Sequence, residues 1–308
     1  GCATEGANYI GLGLVAGNSL TIEKGADVIV DGIISSGYNK TAAGKLYIDD
    51  GIYTAVKALG LADQSDQAKI ASLIYVSGGH FAEGPLTLAQ CADAYEPFEE
   101  TDAAFADHKY TVRPAFAGQG TEEFPFLIPD ATTLAKLATL VNIGQSMKGL
   151  YFRVENDLNL SAYDNWTPIA TSKTLSFKGT FDGAGHTISG LKIEGDPTVD
   201  AEIGLFGYIT TGATLKNFTV DGSVKVTFLN GTAGNSGAAG VVGYMTGGTV
   251  DSVTNRASVS SVGTYGRLGG ICGISNYTGV NVITNCANFG DITQDTSVAV
   301  DGGWNGGI

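Results

Sequence analysis

The chain of 308 residues is acidic and rich in glycine, with a formal net charge of −14 and 45 glycines. Charged residues make up 16% and hydrophobic residues 43% of it, which excludes the high-charge, low-hydrophobicity composition of disordered proteins. An acidic surface repels nucleic acid phosphates and anionic lipid heads, so neither is an expected partner. No cofactor is expected, although bound Ca²⁺ is an alternative that the acidic balance leaves open.

Cys2, next to the first residue, is a candidate lipidation site of the kind that follows cleavage of a lipoprotein signal. The alternative is that Gly1 is the remnant of a tag. A lipid anchor at Cys2 would be the only expected contact with a membrane. The longest apolar-leaning run, from Tyr9 to Gly17, is far shorter than the ~20 residues that span a bilayer.

Residues 1–116 are predicted to form an N-terminal, β-helix-like domain. Short strand-like runs end at glycines, and equivalent apolar positions recur at Leu20, Leu46 and Ile74, spaced by 26 and 28 residues. Regular spacing of this size is typical of stacked coils. Tyr110 to Pro114 is predicted to be a closing strand.

Two segments of this domain break the strand pattern. The segment from Ala55 to Ala71 is predicted to be a short helical excursion from a coil, because its apolar residues have helical spacing. The segment from Pro85 to Asp107 is predicted to contain no strand.

A second domain is predicted over residues 117–308, with a capping helix at about 130–143. Asp130 is a residue type that caps helix N-termini, and Gly144 supplies a stop. A single amphipathic helix here would cover the open apolar end of a solenoid. Its apolar stripe consists of Leu134, Leu137, Leu140 and Val141.

The segment Tyr163-Asp164-Asn165-Trp166 is the best candidate for a ligand-binding cluster. Sugar sites combine aromatic rings, on which the C–H faces of sugars stack, with carboxylates and amides. Tyr163, Asp164 and Trp166 are therefore predicted to bind a ligand. The alternative is that Trp166 packs under the first coil of the repeats.

A four-residue pattern, Gly-x-x-Gly, recurs along the last third of the chain at intervals of 36 and 30 residues. The runs between its copies align, so that Leu215, Val250 and Ile283 share one apolar column. A unit with this period predicts a solenoid or propeller, with the glycines permitting positive φ at the corners. The pattern's glycines are Gly204, Gly207, Gly240, Gly243, Gly270 and Gly273.

Two cysteines fall in these repeat columns. Cys272 and Cys286 stand where the preceding repeat has Val242 and Val253, so both are predicted to pack as small apolar residues. A disulfide between them is the alternative.

The stretch from Phe177 to Leu191, which contains Phe-Asp-Gly-Ala-Gly-His, lies between Asp164–Ile169 and the first Gly-x-x-Gly. Together with the capping helix, this combination resembles the GLUG-motif repeat proteins over roughly residues 120 to 308. The resemblance implies an all-β fold, a right-handed parallel β-helix with a short capping helix. It also implies display outside the cell, at a bacterial surface, as in adhesin-like proteins of gut bacteria.

The expected function is that of a non-enzymatic adhesin or recognition module whose partner is a host or microbial surface glycan or protein. One alternative is a carbohydrate-active β-helix, either a polysaccharide lyase, a glycoside hydrolase or a glycan-binding module. Two carboxylates converging in a groove along one sheet would favour it. The other alternative is a structural stalk. No catalytic residue is predicted, and the ring of His186 is expected to bond to the backbone of its turn.

Overall fold

The computed structural model describes residues 10–13, 19–22, 29–30, 33–35, 45–53, 59–60, 74–82, 91–195, 202–228, 236–263, 267–276, 278–295 and 304–308. The candidate lipidation site at Cys2 lies outside them. The described residues form a parallel β-solenoid, which confirms the predicted fold class. The chain divides into two compact units, Gly1–Ala115 and Phe116–Ile308.

The first unit is built from coils that each contribute one strand to each of three sheets. The register places Leu20 beside Leu46 and Leu46 beside Ile74, which confirms the predicted column. The coil strands are β1 (Ile10–Gly13), β2 (Ser19–Ile22), β3 (Ile29–Val30), β4 (Ile33–Ser35), β5 (Lys45–Ile48), β6 (Ile52–Tyr53), β7 (Leu59–Gly60), β8 (Ile74–Val76) and β9 (His80–Phe81).

The helical excursion predicted from Ala55 to Ala71 lies mostly outside the described residues. For the part that is described, Leu59–Gly60, the prediction of a helix is wrong. Leu59–Gly60 is a strand, because its backbone pairs in parallel with Ile34 and Ser35 of the preceding coil. The pairing partner is distant in sequence, so the local helical spacing did not reveal it.

An antiparallel hairpin extends the sheet of the first unit that contains β3, β6 and β9. Strand β10 (Tyr95–Glu99) pairs with β11 (Tyr110–Pro114), and β11 pairs with β9. β11 is the predicted closing strand, whereas β10 lies in the segment predicted to contain none. Pro97 obscured the strand, since proline lacks a backbone donor; it is tolerated because β10 lies at the sheet edge.

The second unit contains the predicted helix, α1 (Ala131–Asn142). Asp130 caps its N-terminus, with Oδ1 accepting the Thr133 backbone N–H at 2.7 Å. Asn142 fixes its other end by donating to the carbonyl oxygen of Pro168 at 2.9 Å. No helix in the described part of the chain is long and apolar enough to cross a membrane. The buried face of α1 consists of Leu134, Leu137, Ala138, Leu140 and Val141.

The strands of the second unit stack in parallel, coil upon coil. Leu215 lies beside Val250, and Val250 beside Ile283, so the predicted repeat register is confirmed. The strands are β12 (Phe126–Ile128), β13 (Tyr151–Val154), β14 (Leu158–Asn159), β15 (Thr180–Asp182), β16 (Thr187–Gly195), β17 (Glu202–Ile203), β18 (Phe206–Thr210), β19 (Thr214–Phe228), β20 (Gly237–Ala239), β21 (Val242–Thr246), β22 (Gly248–Asn255), β23 (Ser258–Gly263), β24 (Arg267–Gly269), β25 (Cys272–Ser275), β26 (Asn281–Thr284), β27 (Ala287–Asn288), β28 (Ile292–Asp295) and β29 (Trp304–Gly306).

A row of phenylalanine rings fills the core of the second unit. Phe126, Phe152 and Phe181 occupy one inward column on successive strands. Phe177 joins the row, 6.3 Å from Phe152 and 5.3 Å from Phe206 between ring centroids. Aromatic side chains bury the largest apolar areas, so this row is a main source of hydrophobic stabilisation.

The Gly-x-x-Gly glycines are required by close packing rather than by positive φ, which corrects the sequence expectation. None of the six has a positive φ. The left-handed corner position is filled instead by Asn217, Ser252 and Asn285, with φ of 58°, 56° and 52°. A Cβ would lie less than 3.0 Å from a neighbouring atom at Gly204, Gly207, Gly240, Gly243, Gly270 and Gly273.

The two repeat cysteines are not joined by a disulfide. Cys272 is buried, as the packing prediction requires, and Cys286 is half-buried. Burial raises the pKa of the Cys272 thiol to about 12, so the group is a neutral thiol at physiological pH.

Candidate functional site

The predicted ligand-binding cluster is divided between core and surface. Trp166 is 3% exposed, and its Nε1 donates to the carbonyl oxygen of Leu205 at 3.4 Å. Its indole therefore packs in the core, as the alternative proposed, and offers no face to a sugar. Tyr163 is half-buried, with its hydroxyl donating to the Ala131 carbonyl oxygen, while Asp164 is exposed. Ligand binding by Tyr163 and Asp164 stays a prediction.

A cleft of about 470 Å³ opens on the outer surface of the second unit. It is lined by the loop before β12, by the outward side chains of Leu127 and Arg153, and by the corner after β15, which contains Ala184 and His186. Its volume falls within the ~300–1,000 Å³ of typical small-molecule sites. Three segments that are separate in sequence are thus brought together beside one sheet.

The cleft presents both an aromatic ring and charged groups to solvent. Phe124 is 52% exposed, and Glu123, Arg153 and Glu155 are exposed as well. Within the described part of the chain, no hydrogen bond or ion pair engages the side chains of these three charged residues. The cleft therefore offers a guanidinium and two carboxylates to a ligand.

Arg153 stands at one end of an outward column of alternating charge. The register sets Arg153 beside Asp182, Asp182 beside Lys216, and Lys216 beside Asp251. Opposite charges across neighbouring strands are favourable. Asp182 is already engaged, because Lys216 Nζ lies 3.4 Å from its Oδ2 and Asn217 donates to its Oδ1 at 3.1 Å. That arrangement leaves the Arg153 guanidinium available.

His186 is held at the cleft by a carboxylate. Its Nδ1 lies 3.2 Å from Oδ1 of Asp157, which also accepts the Thr187 backbone N–H at 2.8 Å. The Thr187 bond foremost, and then the His186 bond, lower the pKa of Asp157. The prediction that the ring bonds to the backbone was therefore wrong. Asp157 directly precedes Leu158 of β14, and Leu158 pairs with Ile188, two residues after His186, so the Asp157 carboxylate lies within reach of the ring.

Two carboxylates of the first unit, those of Glu100 and Asp49, have structural partners. The Nδ1 of His80 lies 2.5 Å from Oε2 of Glu100, and its ring stacks on Phe105 at 3.5 Å between centroids. The Asp49 carboxylate accepts a hydrogen bond from the Ser77 hydroxyl. Among the residues that the structure describes, no group of three or more His, Cys, Asp or Glu side chains is placed to hold a metal ion.

Sequence reasoning did not identify Phe124, Arg153 or Glu155 as site residues. Arg153 carried a usable signal, since it lies between Phe152 and Val154 in an alternating strand and must point outward. Little in the sequence indicated that Phe124 is exposed, because an aromatic residue in a loop is as easily buried as exposed.

Comparison with known proteins gives two partial likenesses, and no family model matches the chain. The chain is 31% identical over 132 residues to Halomucin from Haloquadratum walsbyi, a match that covers 39% of this chain and 1% of Halomucin. A solved structure of a candidate immunoglobulin A1 protease from Bacteroides ovatus aligns with a TM-score of 0.39 and 19% identity. That alignment covers 60% of this chain and 66% of that one. Neither likeness assigns the chain a family or an activity.

Proposed function

We propose that the chain is an extracellular recognition protein, an adhesin displayed at a bacterial surface whose β-helix presents a binding site for a glycan or protein of another cell. The resemblance of residues 120–308 to GLUG-motif surface proteins supports the location. A lipid anchor at Cys2 would tether the chain there.

The observation that carries the proposal is the cleft with its exposed ring and unpaired charges. Charged side chains without protein partners are available for a ligand. Strand β13 holds Arg153 on a rigid support, and Glu155 follows directly after that strand. Sites built on rigid elements lose little conformational entropy when they bind. Such preorganisation suits recognition.

The test is a saturation binding assay with the fluorescently labelled full chain. We expect saturable binding to host epithelial cells or to bacterial cells by flow cytometry, displaced by unlabelled chain. Binding that stays linear with concentration on both cell types, or that unlabelled chain fails to displace, would contradict the proposal.

A second candidate function is cleavage of a polysaccharide. Glu123 and Glu155 line the same cleft beside one sheet, and glycosidases use such pairs of carboxyl groups. Incubation with neutral polysaccharides would then release new reducing ends, and Glu155→Gln would abolish the release. Glu122→Gln is the matched control, since Glu122 is exposed in the same loop but does not line the cleft.

A further inference from the structure

We propose that the cleft binds an uncharged saccharide, with Phe124 as the platform on which one sugar ring stacks. This inference rests on the proposed recognition function and names its ligand class and its site. The site is distinct from the Tyr163-Asp164-Trp166 cluster predicted from sequence.

Phe124 exposes its ring to solvent at the wall of the cleft. The rings that build the core of this unit, such as Phe126, Phe152 and Phe181, are fully buried, whereas Phe124 is 52% exposed. Removing an aromatic ring from water is favourable, so an exposed ring at a cleft wall is a surface that a ligand can cover. The electron-rich face of the ring attracts the C–H groups of a sugar.

The polar groups of the cleft match the hydroxyls of a sugar. Arg153 offers a fork of five donors, and Glu123 and Glu155 offer only acceptors when ionised. Each sugar hydroxyl both donates and accepts, so a ring lying on Phe124 can use both kinds of group. Leu127 adds an apolar patch to the lining.

The charges of the cleft select against acidic saccharides. Two carboxylates, those of Glu123 and Glu155, oppose the one guanidinium of Arg153, and the whole chain carries a net charge of −14. The cleft carboxylates and the negative charge of the whole chain would both repel a sialylated, sulfated or uronate-containing glycan. An uncharged saccharide avoids it.

The first experiment is a glycan array that displays uncharged, sialylated and sulfated oligosaccharides, probed with the labelled full chain. The uncharged oligosaccharide that binds best is then titrated by calorimetry into the full chain. We expect Phe124→Ala to weaken the binding of this oligosaccharide by about tenfold or more, as for an anchor residue that becomes buried in the complex. Arg153→Ala is an independent test and is expected to weaken binding similarly.

Phe289→Ala is the matched control. Phe289 is 70% exposed and lies under the guanidinium of Arg256 on another coil of the same unit. Its loss removes an exposed ring beside an arginine without touching the cleft, so binding should be unchanged. Circular dichroism of each variant shows whether it is folded, and magnetisation transfer from the aromatic protons to the sugar C–H protons tests the stacking directly in the unmodified chain.

The outcomes separate this inference from the function on which it rests. Strongest binding to sialylated or sulfated glycans would overturn the ligand class, and undiminished binding by folded Phe124→Ala and Arg153→Ala would overturn the site. Saturable binding to cells with no array binding would overturn a saccharide ligand while leaving recognition standing, with a protein as partner. Absence of binding to both would overturn both proposals.

Discussion

The side chain of Asn255 donates from Nδ2 to Oδ1 of Asn288, 2.8 Å away in the same column of the next coil. Asn255 is fully buried and also accepts the backbone N–H of Ala257 at 3.1 Å. Asn288 makes the equivalent bond with the backbone N–H of Gly290. The stacked amides therefore satisfy backbone groups inside the solenoid and tie one coil to the next.

Removal of the buried amide should destabilise the second unit. We expect Asn255→Ala to lower the free energy of unfolding by about 1–3 kcal/mol, because the polar groups of Ala257 and Asn288 lose a buried partner. Urea unfolding followed by circular dichroism measures the change. Asn156→Ala is the control, since Asn156 is exposed; an equal effect of the two substitutions would show that the amide column adds no special stability.

Alanine in place of a Gly-x-x-Gly glycine should destabilise by steric overlap. A Cβ at Gly243 would overlap the backbone of Glu202 and Ile203 in the preceding coil, where the strand pairing prevents relaxation. We expect Gly243→Ala to lower the unfolding free energy by about 1–3 kcal/mol.

Gly195→Ala is the matched comparison, because a Cβ there meets no atom within 4 Å and φ is not positive. Reduced entropy of the unfolded chain should raise stability by about 0.4–1 kcal/mol. The same urea titration measures both variants, and effects of equal sign would refute the packing explanation for the repeat glycines.

The helix cap at Asp130 should make stability depend on pH. Its bond with the Thr133 backbone N–H, followed by that with the Thr133 hydroxyl, lowers its pKa. Because the folded value lies below the unfolded one, the contribution is complete above the ordinary aspartate pKa of about 3.9 and is lost as pH falls through the folded value.

Two substitutions separate the cap from the charge. Asp130→Ala should cost about 0.5–2 kcal/mol at neutral pH, whereas Asp130→Asn should cost little because asparagine also caps helices. Thermal unfolding from neutral pH to below the ordinary aspartate pKa should show a smaller loss of Tm in Asp130→Asn than in the unmodified chain. Parallel curves for these two proteins would contradict the role given to the charge.

Truncation to alanine should destabilise the protein strongly at Trp166 and very little at Phe124. Trp166→Ala should lower the unfolding free energy by about 3–5 kcal/mol, since it empties a buried site. Phe124→Ala should change it by no more than about 0.5 kcal/mol, since the ring is half exposed. Chemical denaturation of both variants tests this, and a stability loss of similar size in both would mean that Phe124 is a packing residue.

Repeat spacing and strand alternation were enough to predict the coil register. Leu215, Val250 and Ile283 could be aligned from sequence because each is an apolar residue at the same place in its repeat. The reason for the glycines could not be derived, because overlap at Gly243 depends on the distance to the preceding coil. Adjacent residues of a flat strand point to opposite faces, so the pair Leu205-Phe206 indicated either a bend or an outward-facing row without deciding between them. The structure has a bend at Leu205, and both side chains are buried.

The cleft could not be predicted because its members come from three separate segments of the chain. Arg153 could be assigned to an outer face, but its lack of a partner depends on Lys216 and Asn217 engaging Asp182 from the next coil. The aromatic residue that sequence reasoning favoured, Trp166, is buried by the chain around it. Exposure of a single aromatic residue is decided by tertiary packing, which local composition does not encode.

The most direct test of cleft-mediated recognition is cell binding by two double variants measured side by side. The variant with Phe124→Ala and Arg153→Ala removes the cleft's ring and guanidinium. The variant with Phe289→Ala and Arg256→Ala removes an exposed ring and arginine elsewhere. If the cleft mediates recognition, the first variant loses saturable binding and the second keeps it, with both folded. Equal binding by the two folded variants would show that the cleft is not the recognition site.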